Sequence, residues 1–438
     1  MKHLKLLITK RLSFCPPENA FAAFSDIPNV AFLDSAAAGD PRSKVAYLCL
    51  LPIATLQLQA NPYATLRSWM TTYVGSSYRA DWPFPFSGGA VGWIGYDLAR
   101  HAAGVPSRFA PLPGLPGGWF GLYNTILGFD LECRRLVYLG PEEHLPFVDS
   151  RLCTQPPILP PPPKLSWQAE MDCTTYKERL ACLREYIAAG DICQANLTLR
   201  FTAPRPSGLH LPTLHMALRH LSPAPFAACI GTDQFGLACA SPERFLCLTA
   251  DGAVETRPIK GTAPRRAVPA EDAAVAAALR ANPKEQAENL MITDLLRHDL
   301  GQVSQIGSVR VPELWSVESY AQTHHLVSAI TGQLRPGLDA FDLLAATLPG
   351  GSITGAPKRR AMEIIDELEA GPRGAYCGTL AWIGFDGAMD SAIIIRTLTA
   401  TTDKLYAQAG GGITWDSAWD AEYDEAMIKI SPLLALGQ

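Results

Sequence analysis

The stretch Gly190-Asp191-Ile192-Cys193-Gln194-Ala195-Asn196-Leu197-Thr198-Leu199-Arg200-Phe201 decides the fold class. From residue 193 it alternates with period two. Cys193, Ala195, Leu197, Leu199 and Phe201 share one face, and Gln194, Asn196, Thr198 and Arg200 share the other. This is a strand with one side in a core and a polar side free to line a site. Just upstream, Tyr176, Leu180, Leu183 and Ile187 fall at helical spacing, and Gly190 stands where a helix ends in the left-handed conformation. Downstream, helices are expected at about 271–300, 355–370 and 419–435, with strand-like segments at 235–240, 378–385, 391–400 and 404–409. Strands and helices do not alternate as βαβ units would. The mixture predicts an α+β fold with mostly antiparallel strands.

Further upstream, Pro156-Pro157-Ile158-Leu159-Pro160-Pro161-Pro162-Pro163 must be extended, because proline fixes φ and donates no hydrogen bond. It divides the chain into an N-terminal region (1–150), a proline-rich linker (151–165) and a larger C-terminal region (166–438). The N-terminal region is rich in short apolar runs, at 45–51, 87–97 and 118–129, broken by Gly and Pro, which read as strands with tight turns.

With 48% hydrophobic and 18% charged residues, the 438-residue chain can bury a large core. Its 37 basic and 42 acidic residues are spread evenly, and no Lys/Arg block tracks phosphates, so nucleic acid is not an expected partner. No stretch approaches the roughly 20 apolar residues that span a bilayer, so no membrane association is expected. Eleven cysteines without a CxxC pair read as buried thiols in a reducing cytoplasm.

Several residues could carry chemistry. Glu285 with Glu288, and Glu422 with Glu425, are spaced i, i+3, so each pair shares a helix face; hard oxygen donors from two helices suit Mg²⁺, although solvated helix flanks are the commoner use of such spacing. Lys260 sits in Arg257-Pro258-Ile259-Lys260-Gly261-Thr262 between a stiff proline and a permissive glycine, placed either as a nucleophile or as a turn lysine. Arg396 interrupts the apolar run 392–398, where a guanidinium needs an anionic partner, either substrate or structural. Gly410-Gly411-Gly412 could bring bare amides to a carboxylate or merely make a turn. The run Gly350–Lys358 lacks the Lys-Ser/Thr of a phosphate loop; Thr354 as a helix cap and Pro357 in the first turn account for it. His324-His325 has no ligand partner at zinc spacing.

Together GDICQANL, SPERF, ETRPIKGT, ENLMITDLLRHDLG, HHLVS, PGGSITGAPKRRAMEIIDELE, MDSAIIIRTL and AGGGITWDSAWDAEYDEAMIKI resemble the chorismate-utilising enzymes, which include anthranilate, aminodeoxychorismate, isochorismate and salicylate synthases. The resemblance runs from about residue 170 to the end, and SGGAVGWIGYDLAR extends it into the N-terminal region. It implies an anthranilate synthase component I-like fold: two packed, mostly antiparallel sheets surrounded by helices, with both regions contributing to them. It implies Mg²⁺ on Glu288 and Glu425, with Glu285 and Glu422 holding metal-bound water. Arg396, Lys429, Gly410 and Gly412 would bind a substrate carboxylate, while Gly261, Thr262, His325, Ser352 and Tyr376 complete the pocket and Glu243 acts as general acid. Gln194 stands where the water-adding relatives have a lysine base, and Lys260 where anthranilate synthases have alanine in PIAGT. PIKGT resembles the aminodeoxychorismate branch, in which the lysine attacks C2 of chorismate before ammonia enters at C4; anthranilate synthesis is the alternative. No glutaminase signature is visible, so a separate glutamine amidotransferase subunit is expected to supply ammonia. Asp34 and Ser35 only partly match the family's regulatory motif for tryptophan, too partly to imply feedback inhibition.

Overall fold

The period-two stretch forms the strand Gln194–Pro204, and its Ala195, Leu197, Leu199 and Phe201 enter a hydrophobic core as the alternation requires. Cys193 lies just outside the strand and is exposed. The helix before it spans Cys173–Ala188, capped by the Asp172 carboxylate on the Thr175 amide, and Gly190 turns the chain at φ 80°. The computed structural model describes residues 2–3, 6–74, 81–320 and 323–437.

Among these residues, two large sheets carry the fold, and every pairing within them is antiparallel. The first runs in the order Gln168–Ala169, Gln194–Pro204, Lys404–Ile413, Thr397–Ala400, Gly236–Ser241, Phe226–Gly231, Ala31–Asp34, Val45–Leu50, Thr125–Asp130, Arg135–Pro141 and Leu7–Leu12, with Gly355–Ala356 bridging to Gln194–Pro204. The second runs Ile259–Pro264, Thr323–Gln333, Ala253–Thr256, Arg244–Leu248, Met389–Ile393, Thr379–Gly384, Gly89–Ile94, Gly118–Tyr123 and Ala54–Leu58, with Arg310–Ser319 beside Thr323–Gln333. Both sheets mix strands from either side of the proline run: Phe226–Gly231 pairs with Ala31–Asp34, and Thr379–Gly384 pairs with Gly89–Ile94.

Side-chain alternation sorts the core into layers. In Gly89–Ile94, Val91 and Trp93 face the space between the sheets with Tyr47, Trp119 and Ile230, while Ala90 and Ile94 face a helical layer with Ile292, Leu296 and Leu344. Both faces are buried, which is why the segment reads as a continuous apolar run. The outer face of the first sheet packs against Cys173–Ala188, Leu211–Leu221, Lys358–Leu368 and Trp419–Leu434 through Leu180, Leu214, Ile364 and Ile430.

The expected helix over 271–300 is two, Pro269–Ala281 and Pro283–Gly301, because Asn282 leaves the helical conformation and caps the second through the amides of Lys284 and Glu285. The expected strand 391–400 is also two, since the backbone breaks at Arg396, which has φ 49°. Thr354 does not cap the helix that follows; its hydroxyl donates to the Gly350 carbonyl, and Gly355–Ala356 join the first sheet before the helix begins at Lys358. The cysteines are all unpaired, but only Cys49, Cys229, Cys239 and Cys377 are buried; Cys15, Cys173, Cys182 and Cys247 are half-buried, and Cys133, Cys153 and Cys193 are exposed because they fall in turns and segment ends. Among the described residues no helix is long and apolar enough to cross a membrane.

Candidate active site

Where the Gln194–Pro204 end of the first sheet meets the Ile259–Pro264 end of the second, a cavity of about 520 Å³ opens under the helices Pro283–Gly301 and Trp419–Leu434. Its wall includes all fifteen residues to which the resemblance gave a catalytic, substrate-binding or metal role: Glu243, Lys260, Gly261, Thr262, Glu285, Glu288, His325, Ser352, Tyr376, Arg396, Gly410, Gly412, Glu422, Glu425 and Lys429.

Lys260 reaches the cavity because its strand is irregular. Ile259 pairs with Val327 and Thr262 with His325, so Ile259–Pro264 carries one residue more than its partner between these points. The bulge turns on Gly261 at φ 84°, a conformation glycine adopts without strain, and a Cβ there would lie 2.8 Å from Glu285 Oε2. Burial pulls the Lys260 pKa below that of a free lysine; Glu288 and Glu243 pull it back up, and Lys429 adds to the lowering. Glu243 shows the mirror image: desolvation raises its pKa, opposed by Lys260, by a hydrogen bond from Ser352, and by Lys429.

The two helices bring four carboxylates to one wall. Burial raises the Glu288 pKa, and Glu285 and Glu422 add repulsion to it. Two of the four have lysine partners, Lys284 Nζ at 3.9 Å from Glu288 and Lys429 Nζ at 2.6 Å from Glu425. Among the described residues no three acidic, His or Cys side chains close on one point.

Arg396 opens onto the cavity at the strand break. Water can reach it from the cavity, yet protein surrounds it closely enough for desolvation to hold its pKa below the ordinary value. Among the described residues no carboxylate lies within ion-pair distance of it. His325 is pulled down to about 4, by burial first and then by Arg42 and Arg396, so it is neutral near pH 7; its ring nitrogens meet Thr262 and Thr323. Lys429 donates to the Gly410 carbonyl at 3.1 Å. At Gly412 a Cβ would come within 2.1 Å of Gln194 Nε2 and 3.2 Å of Lys260 Nζ, so only glycine leaves this floor open.

Gly411 of the glycine run lines the wall as well, together with residues that the sequence did not single out: Lys284, Gln408 and the apolar Ile259, Ile353 and Ile395. Lys284 was legible beside Glu285; the isoleucines carry no signal that separates them from core. Asn196, on the polar face of the opening strand, lines the cavity. Gln194 lies behind Gly412, with neither amide atom hydrogen bonded. A second cavity of about 590 Å³ lies between the sheets, with Asp34 and Ser35 in a largely apolar wall, and it has none of the four helix carboxylates or Lys260.

A family profile described as chorismate binding enzyme matches residues 32–435. The chain belongs to the chorismate-binding enzyme family. Within that family it is similar to aminodeoxychorismate synthase component 1 of Klebsiella aerogenes, 44% identical over 80% of this chain and 77% of that protein. The protein of that name from Escherichia coli (strain K12) is 38% identical over 94% of each. Anthranilate synthase component 1 of Streptomyces coelicolor is 35% identical over 95% of this chain and 86% of its own. Among solved structures, anthranilate synthase component I from Streptococcus pneumoniae has TM-score 0.77 at 28% identity, covering 90% of this chain and 92% of that one. The α+β fold with two packed antiparallel sheets is thus the fold of the chorismate-binding enzymes.

Proposed function

We propose that this chain converts chorismate and ammonia to 4-amino-4-deoxychorismate. The observation that carries the reading is a lysine, Lys260, enclosed in the cavity beside a carboxyl group, Glu243, with burial favouring the neutral form of both. A neutral amine is a nucleophile and a protonated carboxyl is an acid, the two functions that displacement of a ring hydroxyl needs. Relatives named aminodeoxychorismate synthase component 1 support the same branch.

In this reading the Lys260 lone pair forms a bond to C2, the diene electrons shift, and the C4–O bond breaks as Glu243 gives its proton to the departing hydroxyl, releasing water. Ammonia then bonds to C4, the electrons shift back, and the C2–N bond breaks with its pair returning to Lys260. The Glu243 carboxylate takes the proton that the new C4 ammonium sheds. Arg396, which pairs with no carboxylate among the described residues, is available to a substrate carboxylate, with Lys429 and the Gly410 and Gly412 backbone beside it. Neutral His325, Ser352, Tyr376, Gly261 and Thr262 shape the remaining wall.

The hard carboxylate donors fit Mg²⁺, with Glu288 and Glu425 as the residues that would ligate it and Glu285 and Glu422 those that would hold its water; burial first, and then repulsion from Glu285 and Glu422, disfavours the Glu288 charge, and such an ion would offset both. When bound, the ion supplies positive charge for a substrate carboxylate. Ammonia would come from a separate glutamine amidotransferase subunit, in keeping with the component naming of the relatives. Incubation with chorismate, Mg²⁺ and ammonium, followed by mass analysis, should yield a non-aromatic product in which amino replaces hydroxyl. A fluorescent aromatic amine formed without any lyase would make the chain an anthranilate synthase instead.

A further inference from the structure

The peptide unit joining Pro242 to Glu243 is held at both ends. Its N–H donates to Ser241 Oγ at 3.2 Å, and its carbonyl accepts from Arg42 Nη1 at 3.2 Å. This short connection carries the chain from Gly236–Ser241 in the first sheet to Arg244–Leu248 in the second; the second sheet holds the Glu243 carbonyl through the Ile393 N–H at 3.2 Å, but among the described residues no strand partner holds the peptide before it. Rotation of that plane would swing the Glu243 side chain across the cavity.

Arg42 comes from the N-terminal region and is itself tightly placed. Its Nε and Nη2 donate to the buried Asp40 carboxylate at 3.0 and 2.7 Å, and its own backbone N–H donates to the same carboxylate at 2.8 Å. The guanidinium lies 4.4 Å from the Tyr320 ring centroid and 5.7 Å from that of Phe226. With two nitrogens committed to Asp40 and the face packed on rings, Nη1 is left pointing at the Pro242 carbonyl.

We propose that Arg42 is a positioning residue for Glu243, locking the Pro242–Glu243 peptide so that the carboxyl group faces the substrate. The inference rests on the reading of Glu243 as the acid of the reaction. Misplacing a reacting group by about 1 Å costs on the order of 10²-fold. Arg42→Met should therefore lower kcat about 10- to 100-fold, while KM for chorismate, set elsewhere in the cavity, stays within about twofold. Arg42→Lys, which can still reach either Asp40 or the carbonyl, should recover part of the loss. Since Arg42 acts through Glu243, the double variant Arg42→Met/Glu243→Gln should be no slower than Glu243→Gln alone. If Arg42→Met leaves Asp40 stranded and the protein does not fold, Arg42→Met/Asp40→Asn removes the stranded charge and carries the same expectation. Wild-type kcat in a folded Arg42 variant, a loss confined to KM, or additive losses in the double variant would each overturn the role of Arg42. Wild-type kcat in Glu243→Gln would overturn the acid assignment, and this inference with it.

Discussion

Replacing Arg396 with methionine separates a substrate-binding role from a structural one by the sign of two changes. A guanidinium that pairs with a buried protein carboxylate leaves that carboxylate stranded when removed, at a cost of about 3–5 kcal/mol. Arg396 pairs with none among the described residues, and desolvation already disfavours its charge. Its left-handed backbone, φ 49°, is equally uncomfortable for methionine, so that contribution cancels. Arg396→Met should thus leave the melting temperature unchanged or raise it. If a substrate carboxylate is its partner, the variant loses a charge-assisted hydrogen bond of about 1.5–3 kcal/mol, roughly 10- to 150-fold in KM for chorismate. The assay is initial-rate kinetics over chorismate at saturating ammonium and Mg²⁺, alongside calorimetric melting. A melting temperature that falls sharply while KM stays put would refute the reasoning and make Arg396 a structural cation.

Glu288→Gln and Glu425→Gln should each abolish turnover while the far-ultraviolet circular dichroism stays native; surviving activity with unchanged Mg²⁺ dependence in both would remove the metal assignment. Without ammonia, chorismate should leave a mass adduct on the Lys260 peptide. Because burial lowers the Lys260 pKa, the reactive neutral amine becomes abundant at lower pH than for a free lysine, so adduct formation should rise with pH and level off below the ordinary lysine range, and Lys260→Ala should show none. Arg373→Met should cost about 3–5 kcal/mol in chemical denaturation, since it strands buried Glu369 and frees the carbonyls of Ile353 and Asn196, which Arg373 binds at 2.8 Å each.

Much of this was legible because the residues concerned sit on regular elements. Glu285 and Glu288, and Glu422 and Glu425, meet one cavity because i, i+3 spacing on a helix fixes a shared face, and Asn196 faces it because a strand alternates. The breaks were not legible. Nothing in the run 391–400 marks Arg396 as a left-handed residue between two strands, since its neighbours are strand formers throughout. The bulge at Lys260 depends on which residues of Thr323–Gln333 it pairs with, a long-range fact. Arg42 and Pro242 are 200 positions apart, and spacing says nothing about such a contact.

The way both sheets draw strands from either side of the proline run has a consequence during synthesis. Gly89–Ile94 cannot complete its pairing with Thr379–Gly384 until roughly 285 further residues have been made. At about 5–20 residues per second that is a wait of about 15–60 s. Through it, an open, wholly apolar strand edge is held by its neighbour Gly118–Tyr123 on one side only. The nascent chain is therefore most exposed to aggregation before its last strands emerge, and overproduced protein truncated between residues 150 and 380 should partition into the insoluble fraction unless a chaperone shields that edge.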